Sequence, residues 1–154
     1  METRTKISLK HIDHVAIAVP TGQLDAHVAV YEQMGFRVLH REEVYGTDQV
    51  REVLLQVGES ENLLQLLEPL TPDSPVAKQI EKNGGRPGMA HVAFRVEDAQ
   101  ATFDQMKAEG FQIIDAAPRP GSRGTTVFFL HPKTHAEASL GVLYEIVQEG
   151  GGHG

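Results

Sequence analysis

An α+β fold built from two tandem βαβββ modules is what this chain of 154 residues predicts, on three observations. The stretch "DHVAIAV" at 13–19 returns almost unchanged as "AHVAFRV" at 90–96. After each copy comes a helical pattern that stops at Gly-Phe, and each half then ends in two further strand-like runs. A chain of this length buries about one domain's core. The repeat is therefore read as a duplication inside a single domain, 1–154.

The first module spans 8–72. Its opening strand is followed by Leu24, Val28 and Tyr31, an i, i+4, i+7 stripe that marks a helix. Gly35 supplies the left-handed cap and Phe36 starts the next strand, "FRVLH". "VREVLLQV" and "ENLLQLLEP" complete the module as strands bounded by turn residues. Residues 73–87 read as a linker with a short helix. The second module, 88–149, repeats the order: Ala99, Phe103 and Met106 form the helical stripe, Gly110-Phe111 ends it, and "FQIID", "TTVFFLHP" and "LGVLYEIVQE" are the strands. The glycine-rich end, 150–154, reads as a disordered tail.

Strand side chains alternate between faces, so each strand divides into two sets. In the first strand Val15, Ile17 and Val19 face the helix, leaving His14, Ala16 and Ala18 on the other side; its copy sets Val92, Phe94 and Val96 against His91, Ala93 and Arg95. The last strands place Gln65 with Leu63 and Leu67, and Glu145 with Leu143 and Val147. His14 and His91 are 91 − 14 = 77 apart, and Gln65 and Glu145 are 145 − 65 = 80 apart. The duplication thus maps histidine onto histidine and amide onto carboxylate. Two neutral imidazoles, an amide oxygen and one carboxylate are a mixed N/O shell for a divalent metal, with positions left for water or substrate. Co, Mn, Ni, Fe and Zn all suit it. His11, His27, His40, His131, His135 and His153 lack such counterparts and are expected on the surface or in loops.

Lys+Arg 14 against Asp+Glu 21, a net charge of −7, argues against nucleic-acid or membrane-surface binding. The absence of cysteine excludes disulfides, thiolate metal sites and cysteine nucleophiles, and suits a reducing compartment. "METRTKISLK" lacks an apolar signal-peptide core, and no apolar run reaches bilayer length. A soluble, cytoplasmic protein is the expectation.

These residues resemble the vicinal oxygen chelate superfamily, whose members pair two βαβββ modules into a cupped mixed sheet around a metal. Within it the chain looks most like the methylmalonyl-CoA epimerases, from "IDHVAIAV" through "YEQMGF", "VREVLL", "HVAF" and "FFLHPK" to "LYEIV". The most specific piece is "LLQLLEPLTPDSPVAKQIEKNGG", with Gln as second ligand and a Glu-Pro-Leu turn. The resemblance implies metal ligands at His14, Gln65, His91 and Glu145, with cobalt the first choice of metal.

It also implies an acyl-CoA substrate, a homodimer, and a product that feeds a mutase or supplies polyketide extender units. Epimerisation needs a base on each face of the α-carbon. Glu52 lies on the face of Val50, Leu54 and Gln56, opposite Val53, Leu55 and Val57, and the resemblance implies that Glu52 and Glu145 are the two acid/bases. Coenzyme A phosphates need cations: Arg119 and Arg123 in "PRPGSRG" and Lys133 in "HPK" are the candidates, with Lys82 and Arg86 weaker ones. The chain departs from the family in "YGTDQ" at 45–49, where an acidic turn is usual, in Ala90 before the second histidine, and in "THAEAS", which lengthens the final hairpin. The first leaves ethylmalonyl-CoA open as a substrate. A glyoxalase-type isomerase, an extradiol dioxygenase or a non-catalytic binding protein of the same fold are the other readings.

Overall fold

A computed structural model describes residues 6–150 of the chain; of the predicted tail, 150–154, all but Gly150 lies outside the described residues, His153 included. The elements run β1 (His11–Ala18), α1 (Leu24–Gln33), β2 (Phe36–Val44), β3 (Val50–Val57), β4 (Leu63–Pro69), α2 (Pro75–Lys82), β5 (Gly88–Val96), α3 (Ala99–Ala108), β6 (Phe111–Ile113), β7 (Arg119–Pro120), a 3₁₀ turn (Ser122–Gly124), β8 (Thr126–His135) and β9 (Tyr144–Gln148). Among the described residues no helix is long and apolar enough to cross a membrane. The chain divides into two compact units: Asp13–Val92, and the residues up to Ile12 together with those from Ala93 onward.

In the unit Asp13–Val92 the strand order is β2-β3-β4-β1. β1 runs parallel to β4, with Ala16 opposite Gln65, while β3 is antiparallel to both β2 and β4, so the sheet is mixed. Alternation along the strands sorts their side chains as the sequence predicts. Val19, Val53, Leu55 and Leu66 pack with Leu24 and Val28 of α1. On the opposite face Ala16, Ala18, Val50 and Leu67 pack with Val76 and Ile80 of α2. The linker helix therefore covers part of the face that carries His14, Gln65 and Glu52. Ser74 caps it, accepting from the Val76 amide at 3.2 Å, and Pro75 occupies the first helical turn, where its missing N–H costs nothing.

The other unit has the order β9-β8-β6, all antiparallel, with β7 paired to β8. Helix α3 sets Ala99, Phe103 and Met106 against Val96, Phe128, Leu130 and Ile146. The Phe103 and Phe128 rings meet edge to face at 5.2 Å. Ala93, Val127 and Val147 form a separate cluster on the face to which Glu145 belongs by strand parity.

One repeat feature escaped the sequence reading. Three residues beyond Gln65, Glu68 accepts from the Gly22 and Leu24 amides at 2.7 and 3.2 Å; three beyond Glu145, Gln148 accepts from the Ala99 amide at 2.8 Å. Glu68 lies near the end of β4 and Gln148 at the end of β9, and each satisfies N–H groups at the start of a helix, α1 or α3, a cap supplied from a distant strand. At the far end of these helices Gly35 and Gly110 take φ of 106° and 92°, as the predicted glycine caps require.

Two predicted strands are shorter than expected, and one predicted core residue lies exposed. "FQIID" pairs only over Phe111–Ile113, because Asp115 turns its carboxylate to the Phe129 amide at 2.7 Å and to Arg119 Nε at 2.8 Å instead of continuing the strand. The last strand starts at Tyr144 and not Leu140, since Gly141 at φ 77° donates back to the Pro132 carbonyl at 2.8 Å and turns the chain. Val57, predicted to face the core, is exposed because β3 ends there at the turn through Gly58.

Candidate active site

β1 and β5 deliver the two histidines. His14 and His91 are 2% and 5% exposed, and their Nε2 atoms lie 3.2 Å apart. Both rings thus aim the same nitrogen at one place, within the spacing of two ligands on one ion. His14 Nδ1 donates to Asp13 Oδ2 at 2.7 Å, a pairing between residues 2% and 1% exposed.

β3 and β4 bring the other two side chains of this unit together. Leu54 sits opposite Gln65 and Glu52 opposite Leu67, so Glu52 and Gln65 are diagonal neighbours on one face. Gln65 Nε2 donates to Glu52 Oε1 at 2.8 Å. With the amide nitrogen committed to the carboxylate, Gln65 Oε1 is a buried acceptor with no hydrogen-bond partner among the described residues. A buried carbonyl oxygen without a donor is costly unless a ligand or ion meets it. Glu52 is itself only 3% exposed. Glu145 is on β9 of the other unit, 8% exposed and in register with Phe129. The residue types present thus suit a divalent ion: imidazole nitrogens, an available amide oxygen and a carboxylate.

The turn before β3 is tied down. Asp48 is half-buried; its carbonyl accepts from Ser74 Oγ at 2.8 Å, and the Gln49 carbonyl accepts from the Leu70 amide at 2.8 Å. Gln49 itself adopts φ 48°. On the outer side Arg51 joins neighbouring strands, donating to Glu43 at 3.1 Å and to Glu68 at 2.6 Å. The Tyr45 hydroxyl and the Arg51 guanidinium hold the Glu43 carboxyl below its ordinary range.

The cation candidates differ in their surroundings. Arg119 pairs with Asp115 and lies over the Phe129 ring at 5.5 Å. Arg123 sits in the 3₁₀ turn at φ 58°, and Lys133 is exposed on β8. Lys82 and Arg86, set lower in the sequence reading, line a cleft of about 340 Å³ with Ala18, Gln79, Asn83 and Met89. Neither pairs with a carboxylate among the described residues; Arg86 donates to the Asn83 carbonyl at 3.1 Å.

Of the other described histidines, His11 is half-buried on β1, and the rest have local partners or are exposed. His135 Nε2 donates to the Glu109 carbonyl at 2.9 Å, His40 pairs with Glu42 at 2.7 Å, and His131 is exposed. Asp13 is the residue that sequence reasoning passed over. The signal was present, for an acid directly precedes His14 where the repeat has Ala90 before His91.

Residues 13–129 match the glyoxalase/bleomycin resistance protein/dioxygenase superfamily. An ethylmalonyl-CoA/methylmalonyl-CoA epimerase of Cereibacter sphaeroides is 32% identical over 79% of this chain and 88% of its own. The crystal structure of methylmalonyl-CoA epimerase from Mycobacterium tuberculosis superposes with a TM-score of 0.81 at 31% identity, over 96% of this chain and 93% of that one. A methylmalonyl-CoA epimerase in complex with methylmalonyl-CoA and NH4+ gives a TM-score of 0.81 at 38% identity, over 94% and 97%. The chain belongs to the glyoxalase/bleomycin resistance protein/dioxygenase superfamily, the vicinal oxygen chelate fold, and within it to the family of the methylmalonyl-CoA epimerases.

Proposed function

We propose that this protein interconverts the (2R) and (2S) forms of methylmalonyl-CoA by taking the α-proton from one face and delivering a proton to the opposite face of an enolate. The observation that carries the reading is the buried Glu52–Gln65 pair on the sheet face of His14, in a chain whose relatives are epimerases. A divalent ion held by His14, Gln65, His91 and Glu145, cobalt being the first choice, would supply Lewis-acid stabilisation of the charge that develops on the substrate oxygens. Glu52, its Oε1 held by the Gln65 amide, accepts the α-proton on one face as a carboxylate. Glu145, protonated at that moment, returns a proton to the opposite face and is left as the carboxylate. The reverse reaction restores both groups, so no net proton is consumed. The leucines around Glu52 and Gln65 keep bulk water from quenching the enolate carbon.

Proton loss from one stereoisomer in D₂O, followed by NMR with the metal-loaded protein, tests this. Exchange with inversion should exceed the spontaneous rate, and should fall about 100-fold or more in Glu52→Gln and in Glu145→Gln, the range for loss of a general acid or base. Asp48→Asn is the control, since Asp48 is a half-buried acid in the turn that leads into β3. Loss of exchange there with Glu52→Gln still active would move the role to Asp48. No exchange above background in the parent protein would refute the epimerase reading. The relative that also acts on ethylmalonyl-CoA favours testing that thioester beside methylmalonyl-CoA. The compartment and the homodimer belong to the same reading, and size in solution tests the latter.

A further inference from the structure

We propose that Asp13 is a positioning residue, which fixes His14 as the Nδ1–H tautomer and so presents its Nε2 lone pair as a metal ligand. This rests on the metal reading above, and it names a residue outside the ligand set. The chemistry is restrictive. An ionised carboxylate only accepts, so the 2.7 Å contact between Asp13 Oδ2 and His14 Nδ1 requires the proton to be on Nδ1. A neutral imidazole carries one ring proton, and Nε2 is then left with its lone pair. That nitrogen is the one aimed at His91 Nε2, 3.2 Å away.

Two further observations separate this from incidental strand geometry. Adjacent strand residues start on opposite faces, so their side chains do not meet by default. A carboxylate at 1% exposure is also costly to bury without strong partners. The duplication supplies an internal comparison: the equivalent of Asp13, at 13 + 77 = 90, is Ala90. The two histidines are chemically unequal although the repeat superposes them, and only His14 is preset by a carboxylate neighbour in sequence.

The decisive measurement is long-range ¹H–¹⁵N correlation of the histidine rings in the full-length protein, assigned with His14→Gln. It reads the tautomer without metal or activity. His14 should show the Nδ1–H pattern in the parent protein and in Asp13→Asn, whose amide oxygen can still accept, and lose that preference in Asp13→Ala. Zinc affinity, measured by competition with a chromophoric chelator, should weaken about 10–100-fold in Asp13→Ala and less in Asp13→Asn. An Nε2–H pattern for His14 in the parent protein would overturn the proposal, as would an Asp13→Ala protein with parental tautomer and zinc affinity. If the parent protein binds no divalent ion, the metal reading fails, and the ring spectrum still decides whether Asp13 sets the tautomer.

Discussion

Gln65 shows how one amide side chain serves two neighbours. Its nitrogen holds Glu52 and its oxygen is free to meet a cation, a division of labour that a carboxylate could not reproduce. Gln65→Glu keeps an oxygen for a metal but places a second acid against Glu52. A hydrogen bond to a charged group contributes about 1.5–3 kcal/mol, so exchange should drop roughly 10–100-fold while bound metal, measured by elemental analysis, stays stoichiometric. Loss of metal together with activity would instead make ligation the whole role of Gln65. His14, His91, Gln65 and Glu52 were legible in the sequence because strand alternation assigns faces without knowledge of the fold. Asp13 was not, because alternation places it on the far side from His14, and only rotation of the two side chains brings them to 2.7 Å.

At the scale of elements, strands written with strong alternation, β1, β3 and β4, were foreseen to within a residue or two. What was missed depends on single polar groups whose partners are remote in sequence. Asp115 stops β6 by leaving for Phe129, and α2, foreseen as a short helix in the linker, also packs over Ala16, Ala18 and Leu67. The Glu68 and Gln148 caps belong to the same class, being 46 and 49 residues from the amides they bind. Removing either should destabilise its own helix: Glu68→Ala or Gln148→Ala by about 1–2 kcal/mol, a Tm loss of roughly 2–8 °C by calorimetry. Glu68→Gln should be milder, because an amide oxygen can still accept from Gly22 and Leu24. A Glu68→Ala protein as stable as its parent would show that water caps α1 equally well.

The whole molecule carries net charge −7, and a CoA substrate is itself an anion. Association is therefore opposed at long range and must be favoured locally, so KM should fall as moderate salt screens the repulsion. Cations already neutralised by an acid, such as Arg119, contribute less to holding phosphate than those facing solvent without one. Lys82→Ala with Arg86→Ala, set against Arg123→Ala with Lys133→Ala, should identify the patch: the productive pair raises KM for the CoA thioester about tenfold and leaves that for a pantetheine thioester unchanged, as expected when only a phosphate contact is lost. Equal effects on both thioesters would mean that the residues shape the acyl pocket.

The division of the chain at Ile12/Asp13 and Val92/Ala93 also orders events in time. The unit Asp13–Val92 is one uninterrupted stretch, whereas its companion needs residues from before Asp13, held where the Lys10 amide donates to the Arg95 carbonyl at 2.8 Å. During synthesis the first can close as soon as Val92 clears the ribosome. The stretch 6–12 must wait for a strand that is made far later, and that long closure is entropically the slow one. Birth order and placement run opposite along 6–12: a stretch made before the first unit is seated after it.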